Sequence, residues 1–306
     1  MKKNHFAAAL LFAILAFSAN AQNTRRASVY FIRDISADSL VKLYERTGKK
    51  LEGKVAVQQS MGEPGGYLFI QPELSETLVK RLGAVYINST GVSDTVRIRK
   101  EIAEEHGFTR AAKVDVLDED GDIELPVLGG KILSKNIVGA HIKNYDSLLV
   151  LTHFKGHAVS GIGGSMKNLS IGVSSPAGKR LIHSGGQTSA RYTHRDQTAF
   201  LEANAEAAKS VVDYFGSRVV YVNFLFKLSN ESDYGSNRPK PVIPDIGILA
   251  STDPVALDQA SVDMIYAAKG SKPLTDLFEA KNGIHSIEWA EKIGLGSRNY
   301  ELAEIK

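Results

Sequence analysis

The sequence predicts an α/β protein: a mostly parallel mixed sheet flanked by helices, in a single large domain with a small antiparallel insertion. Three observations carry this. Short apolar runs and amphipathic stretches alternate along the first half of the chain, the pattern of strand–helix units that pair in parallel. Residues 148–151 (LLVL) are continuously apolar and read as a short buried strand. That run leads into a polar cluster, a glycine turn and a helix start, which is how such folds build a site at the carboxyl end of a strand.

Taken in order, residues 1–21 read as a secretory signal peptide. Lys2 and Lys3 precede an apolar run over residues 6–17, and Ala19-Asn20-Ala21 supplies a small-x-small cleavage site before Gln22. The run is too short for a stable membrane anchor, and no later segment is apolar enough for one. The expected mature chain, 22–306, is therefore exported, periplasmic or extracellular, with no transmembrane anchor after cleavage. Residues 25–33 then read as a strand, and Ser36 caps a helix stopped by Gly48. A strand over 54–58 enters a turn-rich loop, and Pro72 starts a helix that ends near Gly83. Residues 84–88 form a third strand, followed by a loop and a helix stopped by Gly107. Residues 113–117 form another strand, and the acidic run 118–122 is a solvated turn that lacks calcium-loop spacing. Gly129-Gly130 marks a tight connection within an antiparallel insertion over 123–137.

Beyond the central stretch, residues 176–179 and 183–186 read as loops. Residues 197–215 form an alanine-rich helix and 219–226 a buried strand. Residues 229–245, with Pro239, Pro241 and Pro244, form a long loop. Residues 246–249 are the last strand expected, and Asp253-Pro254 starts a helix. The remainder, 273–306, reads as one or two peripheral helices.

Charge and cysteine content remove several functional classes. The formal net charge of +3 falls to +1 once Lys2 and Lys3 leave with the signal, which gives no case for nucleic acid as partner. The chain has no cysteine, so no thiolate-held zinc and no cysteine-ligated iron–sulfur cluster belongs to it. Any divalent metal would sit on His, Asp, Glu or backbone oxygen.

Chemistry concentrates in residues 145–183. His153, Lys155 and His157 fall within five residues of the buried strand. The two histidines are candidate metal ligands or acid–base groups, with Lys155 supplying positive charge. The competing reading is that both imidazoles satisfy buried backbone groups or face solvent. Gly161, Gly163 and Gly164 form a turn before a helix bearing Lys167 and Asn168, a candidate cradle for an anionic cofactor or ligand. Neither P-loop nor GxGxxG spacing is present, and tight helix–strand packing is the alternative. Asp258 stands in an otherwise apolar helical turn. If buried it needs a partner, for which Lys155, Lys167 or a metal would serve; otherwise it is an exposed position.

The runs 152–157 (THFKGH), 161–169 (GIGGSMKNL) and 245–260 (DIGILASTDPVALDQA) resemble the signatures of the domain-of-unknown-function family numbered 362. Further matching stretches, 29–31, 62–65 and 182–184, spread the resemblance over almost the whole mature chain. The family brings no established reaction, but some relatives are fused to ferredoxin-like iron–sulfur domains, which implies a redox association. Several relatives also carry closely spaced cysteines where this chain has residues 229–234 (SNESDY), a departure that weakens the redox implication.

The functional expectation is an exported protein with a metal- or anionic-ligand site at the strand ends near Leu151 and Leu249, redox-associated or a metal-dependent enzyme. In it His153, His157, Lys155 and Asp258 would do the chemistry. The alternatives are a non-catalytic module that binds a small acidic metabolite or cofactor, and a degenerate relative without activity.

Overall fold

The computed structural model describes residues 26–194, 196–230 and 239–306. The expected signal, 1–21, and most of the run 229–234 lie outside them. Eight strands form the central sheet: β1 (Ala27–Ile32), β2 (Val55–Gln59), β3 (Val85–Asn88), β4 (Val114–Val116), β7 (Ser147–His153), β10 (Val219–Leu225), β11 (Gly247–Ser251) and β12 (Tyr300–Glu304). Their spatial order is β12-β1-β11-β10-β7-β2-β3-β4. All neighbours pair in parallel except at β11, which is antiparallel to both β1 and β10. The sheet is thus mixed and mostly parallel.

Helices cover both faces because alternate strand residues point to opposite layers. On one face Leu149 and Leu151 of β7 pack with Val220, Val222 and Phe224 of β10. Helices α1 (Ala37–Arg46), α2 (Pro72–Arg81), α3 (Val96–Glu105) and the short α4 (Phe108–Ala111) cover them. On the other face Leu148, Val150 and Tyr221 pack beneath α5 (Ser165–Val173), α7 (Gln197–Phe215) and α8 (Pro254–Ala267). Burial on both sides explains the unbroken apolar run of β7. Each of its residues 148–151 is fully buried, worth roughly 1.5–3 kcal/mol per large side chain.

Local signals set the helix starts. Ser36, Thr95 and Asp253 each accept a main-chain N–H from the first turn of their helices. Asp253 is a cap, bonded to the N–H groups of Val255 and Ala256 at 2.9 and 3.0 Å. The expected insertion is present as β5 (Asp122–Pro126) and β6 (Lys135–Gly139), paired antiparallel in a sheet of their own rather than in the central one. The loop between them is tied down by Glu206 of α7. Its buried carboxylate accepts main-chain N–H groups from Lys131, Ile132 and Leu133 at 2.7–3.0 Å.

Four local expectations are corrected. Residues 176–179, expected as a loop, and His183, expected to open another, belong to helix α6 (Pro176–His183), because Ser175 caps it and Pro176 occupies its first turn. Residues 161–163 are strand β9 (Gly161–Gly163), paired antiparallel with β8 (Lys155–His157), not a flexible turn. The C-terminal region holds α9 (Lys272–Ala280), α10 (Ile284–Lys292) and also β12, which extends the central sheet by pairing with β1. Finally, the reversal of β11 sends its carboxyl end away from the carboxyl ends of β2, β3 and β7. Leu249 is a core residue and not part of the site.

Candidate functional site

From β2 the chain runs outward through β3 to β4; it then returns to the other side of β2 as β7 and continues to β10 and β11. The sheet order therefore switches direction between β2 and β7, and in open α/β sheets ligands bind in the crevice at such a point. A cavity of about 170 Å³ lies there, smaller than the roughly 300–1,000 Å³ of pockets for drug-sized ligands. Its floor comes from Gln58, Asn88, Ser89 and Thr152 at the strand ends. Its walls come from Lys155, His157 and Gly163 of the β8–β9 hairpin, Lys167 and Asn168 of α5, Lys179 of α6, and Arg99 of α3.

Charge is lopsided. Arg99, Lys155, Lys167 and Lys179 line the cavity, and Glu63 is the one carboxylate among the described lining residues. Arg99 is braced by Asp94, by Glu63 at 3.5 Å and by the Gly62 carbonyl at 3.4 Å. Lys179, 7% exposed, donates to Ser89 Oγ at 2.7 Å and to the carbonyls of Thr90 and Ser174 at 2.5 and 2.9 Å. All three of its hydrogens are used. Burial pushes its ammonium down to about 7. Lys167 is half-buried, and its Nζ makes neither a hydrogen bond nor an ion pair within the described residues. Burial, then the nearby Lys155 charge, pushes it down to about 8.

The histidines serve the backbone. His153, 8% exposed, has Nδ1 3.0 Å from the Leu68 carbonyl and Nε2 2.7 Å from the Phe226 carbonyl. With an acceptor at each nitrogen, neither offers a lone pair to a metal. His157 Nδ1 accepts the main-chain N–H groups of Val159 and Ser160 at 3.1 and 3.2 Å, which leaves the proton of the neutral ring on Nε2. Burial, then Lys167 and Lys155, holds it well below the usual histidine range. The pair expected as metal ligands does not fit a divalent ion: a carbonyl blocks each His153 nitrogen, main-chain N–H groups hold the His157 Nδ1 lone pair, and the surrounding charge is positive. Among the described residues no group of three or more His, Asp or Glu is placed to hold one.

Asp258 also finds partners other than those expected. It is 1% exposed, and its carboxylate accepts Ser165 N–H and Oγ–H, both at 2.8 Å, Met166 N–H at 3.0 Å and Asn223 Nδ2 at 2.8 Å. It thereby caps α5 from below and does not line the main cavity. Asp258 thus takes the N–H groups of Ser165 and Met166, which directly follow the glycine run expected to cradle an anion. Gly164 is glycine because a Cβ there would come within 2.6 Å of that carboxylate. Asn168 donates to the Leu151 carbonyl and Thr152 Oγ1, each at 3.0 Å, and so fastens α5 to the end of β7.

Sequence reasoning missed Gln58, Arg99 and Lys179. Gln58 is 1% exposed, and neither amide atom has a hydrogen-bond partner, a costly state for a buried polar group. Gly172 faces it directly, and a Cβ there would collide with Gln58 Nε2. Of the three, only Lys179 had a sequence signal, in the Ser175-Pro176 helix start.

No curated protein matches the chain. Two solved structures are among those similar to it. One is the lactate racemase apoprotein from Thermoanaerobacterium thermosaccharolyticum, 14% identical, TM-score 0.49, with 80% of this chain and 58% of that chain covered. The other is a protein from Thermotoga maritima, 12% identical, TM-score 0.40, with 84% and 58% covered. The chain thus spans 58% of the length of each. The model of the domain of unknown function DUF362 matches residues 55–263, which include every cavity-lining residue described above, and the chain belongs to that family.

Proposed function

We propose that this is an exported protein whose cavity at the β2–β7 switch point binds a small anionic metabolite. The observation that carries the reading is the charge imbalance: four cations and one carboxylate around a small cavity. The unpartnered amide of Gln58 supports it. A bound carboxylate or phosphate would neutralise the excess charge and accept a hydrogen bond from Gln58 Nε2. Charge-assisted hydrogen bonds of this kind are about twice as strong as neutral ones. Lysines that are partly deprotonated without ligand regain their protons when an anion arrives, so binding and protonation are linked. Metal-assisted chemistry through His153 and His157 receives no support, because carbonyls block both His153 nitrogens and main-chain N–H groups hold the His157 Nδ1 lone pair.

Export rests on Lys2, Lys3, the apolar run and Ala19-Asn20-Ala21. Among the described residues no helix is long and apolar enough to cross a membrane. The test of binding is a thermal-shift series on the mature chain with phosphate, sulfate and malonate against malonamide, at constant ionic strength. Anions at about 100 times their Kd raise stability by about 2.7 kcal/mol. An equal response to malonate and malonamide overturns the reading. Export is read separately, from the fraction in which the chain beginning at Gln22 accumulates.

A further inference from the structure

We propose that the anion is a small oxo acid and that Lys167 Nζ condenses with its carbonyl group to form a Schiff base. The proposal rests on the anion-binding reading and assigns it a substrate class.

The four cations of the cavity are not equivalent. Lys179 is locked by three oxygens and Arg99 by Asp94 and Glu63. Lys167 is the lysine whose amine lies at the cavity with no acceptor among the described residues to hold it as an ammonium ion. Coulombic repulsion from Lys155 acts on that same amine, and with burial it holds Lys167 near 8. Desolvation and a neighbouring cation are the two devices that activate a lysine as a nucleophile toward carbonyl carbon. A purely electrostatic anion site gains nothing from weakening its own charge, whereas a nucleophilic site requires it.

The step balances without a further reactant. The Nζ lone pair adds to the carbonyl carbon, and the C=O π pair moves to oxygen, which takes the proton that nitrogen loses. A second proton, taken up from solvent, adds to that oxygen, releases water and leaves a protonated C=N bond. His157 has its proton on Nε2 and lines the same cavity, so it can donate a hydrogen bond to the developing oxyanion. The Gln58 amide, which has no hydrogen-bond partner, remains for the carboxylate.

The test incubates the mature protein with pyruvate or 2-oxoglutarate and sodium cyanoborohydride, then measures intact mass and maps the modified peptide. In parallel, malonate, which has no ketone, is tested by thermal shift. The proposal expects one reduced adduct per chain, on Lys167, lost in Lys167→Arg and in Lys167→Met. Malonate stabilisation without any adduct on Lys167 overturns the Schiff base and leaves anion binding standing. Adducts scattered over surface lysines, unchanged in both variants, overturn it equally. Neither adduct nor stabilisation overturns both readings.

Discussion

The Asp258 carboxylate accepts both the main-chain N–H and the hydroxyl of Ser165, each at 2.8 Å, across the boundary between α8 and α5. This joins the helix that carries Lys167 to a buried helix beside it on the same face of the sheet. The position of the lysine therefore depends on a residue that never reaches the cavity. Asp258→Ala would leave two main-chain N–H groups without their acceptor and the Asn223 amide with Ser261 Oγ alone. The expected loss is about 3 kcal/mol, or roughly 6–12 °C in Tm for a domain of this size. Urea and thermal unfolding check it; a loss under about 1 kcal/mol would mean that the first turn of α5 finds other acceptors.

Lys167 invites the opposite experiment. A half-buried amine whose charge burial disfavours, and which has no acceptor, weakens the ligand-free fold. Lys167→Met is expected to stabilise the ligand-free protein by about 0.5–2 kcal/mol at pH 7, at the expense of anion binding. The sign also fixes a pH trend. Because the folded value, about 8, lies below the ordinary lysine value, the wild type gains stability as pH rises from about 8 toward 10. Lys167→Met should show a shallower gain, keeping only the share of Lys179, which burial holds near 7. Parallel slopes for the two proteins would contradict the assignment.

The sequence was legible where local chemistry alone decides structure. The apolar run of β7, the caps at Ser36 and Asp253 and the long helix α7 all obey short-range rules and stand where those rules put them. The site was half legible. Lys155, His157 and Lys167 do meet at one cavity, because strand, hairpin and helix are consecutive. Gln58, Arg99 and Lys179 come from elements 40 or more residues apart, and only the return of β7 beside β2 brings them together. Asp258 stands out in its apolar helical turn, but the sequence leaves it either buried or exposed; it is buried, and main-chain N–H groups, Ser165 Oγ and Asn223 Nδ2 satisfy it instead of a cation. Periodicity does not reveal the direction of β11, which is why Leu249 was expected at the wrong place.

Gly172 tests the role of Gln58 without touching a charge. Its substitution by alanine would put a Cβ onto Gln58 Nε2 and force the amide out of its place. We expect Gly172→Ala to cost about 1–3 kcal/mol of stability through overpacking and to weaken malonate binding at least tenfold. Retained affinity would remove Gln58 from the site.

A second pH dependence belongs to a cluster away from the cavity. His141 Nδ1 lies 2.7 Å from Asp115 and its Nε2 2.8 Å from Asp120, and Tyr145 donates to the other oxygen of Asp115 at 2.6 Å. The hydrogen bonds to Asp115 and Asp120 raise the histidine above its ordinary range. A base raised by folding contributes stability that is complete below its ordinary value, about 6.5, and is lost as pH rises through the raised value. His141→Asn should flatten this fall in Tm, above pH 6.5, relative to wild type. A wild-type curve parallel to that of His141→Asn over this range would mean that the pair is not ionic.

The central claim, that an anion completes the cation cluster, is tested most directly by calorimetric titration of the mature protein with malonate near pH 8. Buffers of different ionisation enthalpy at fixed ionic strength are used. Saturable binding with net proton uptake, abolished in Lys167→Met, is the result the account predicts. Absence of saturable heat in every buffer, or binding with no proton uptake that survives in Lys167→Met, would contradict it.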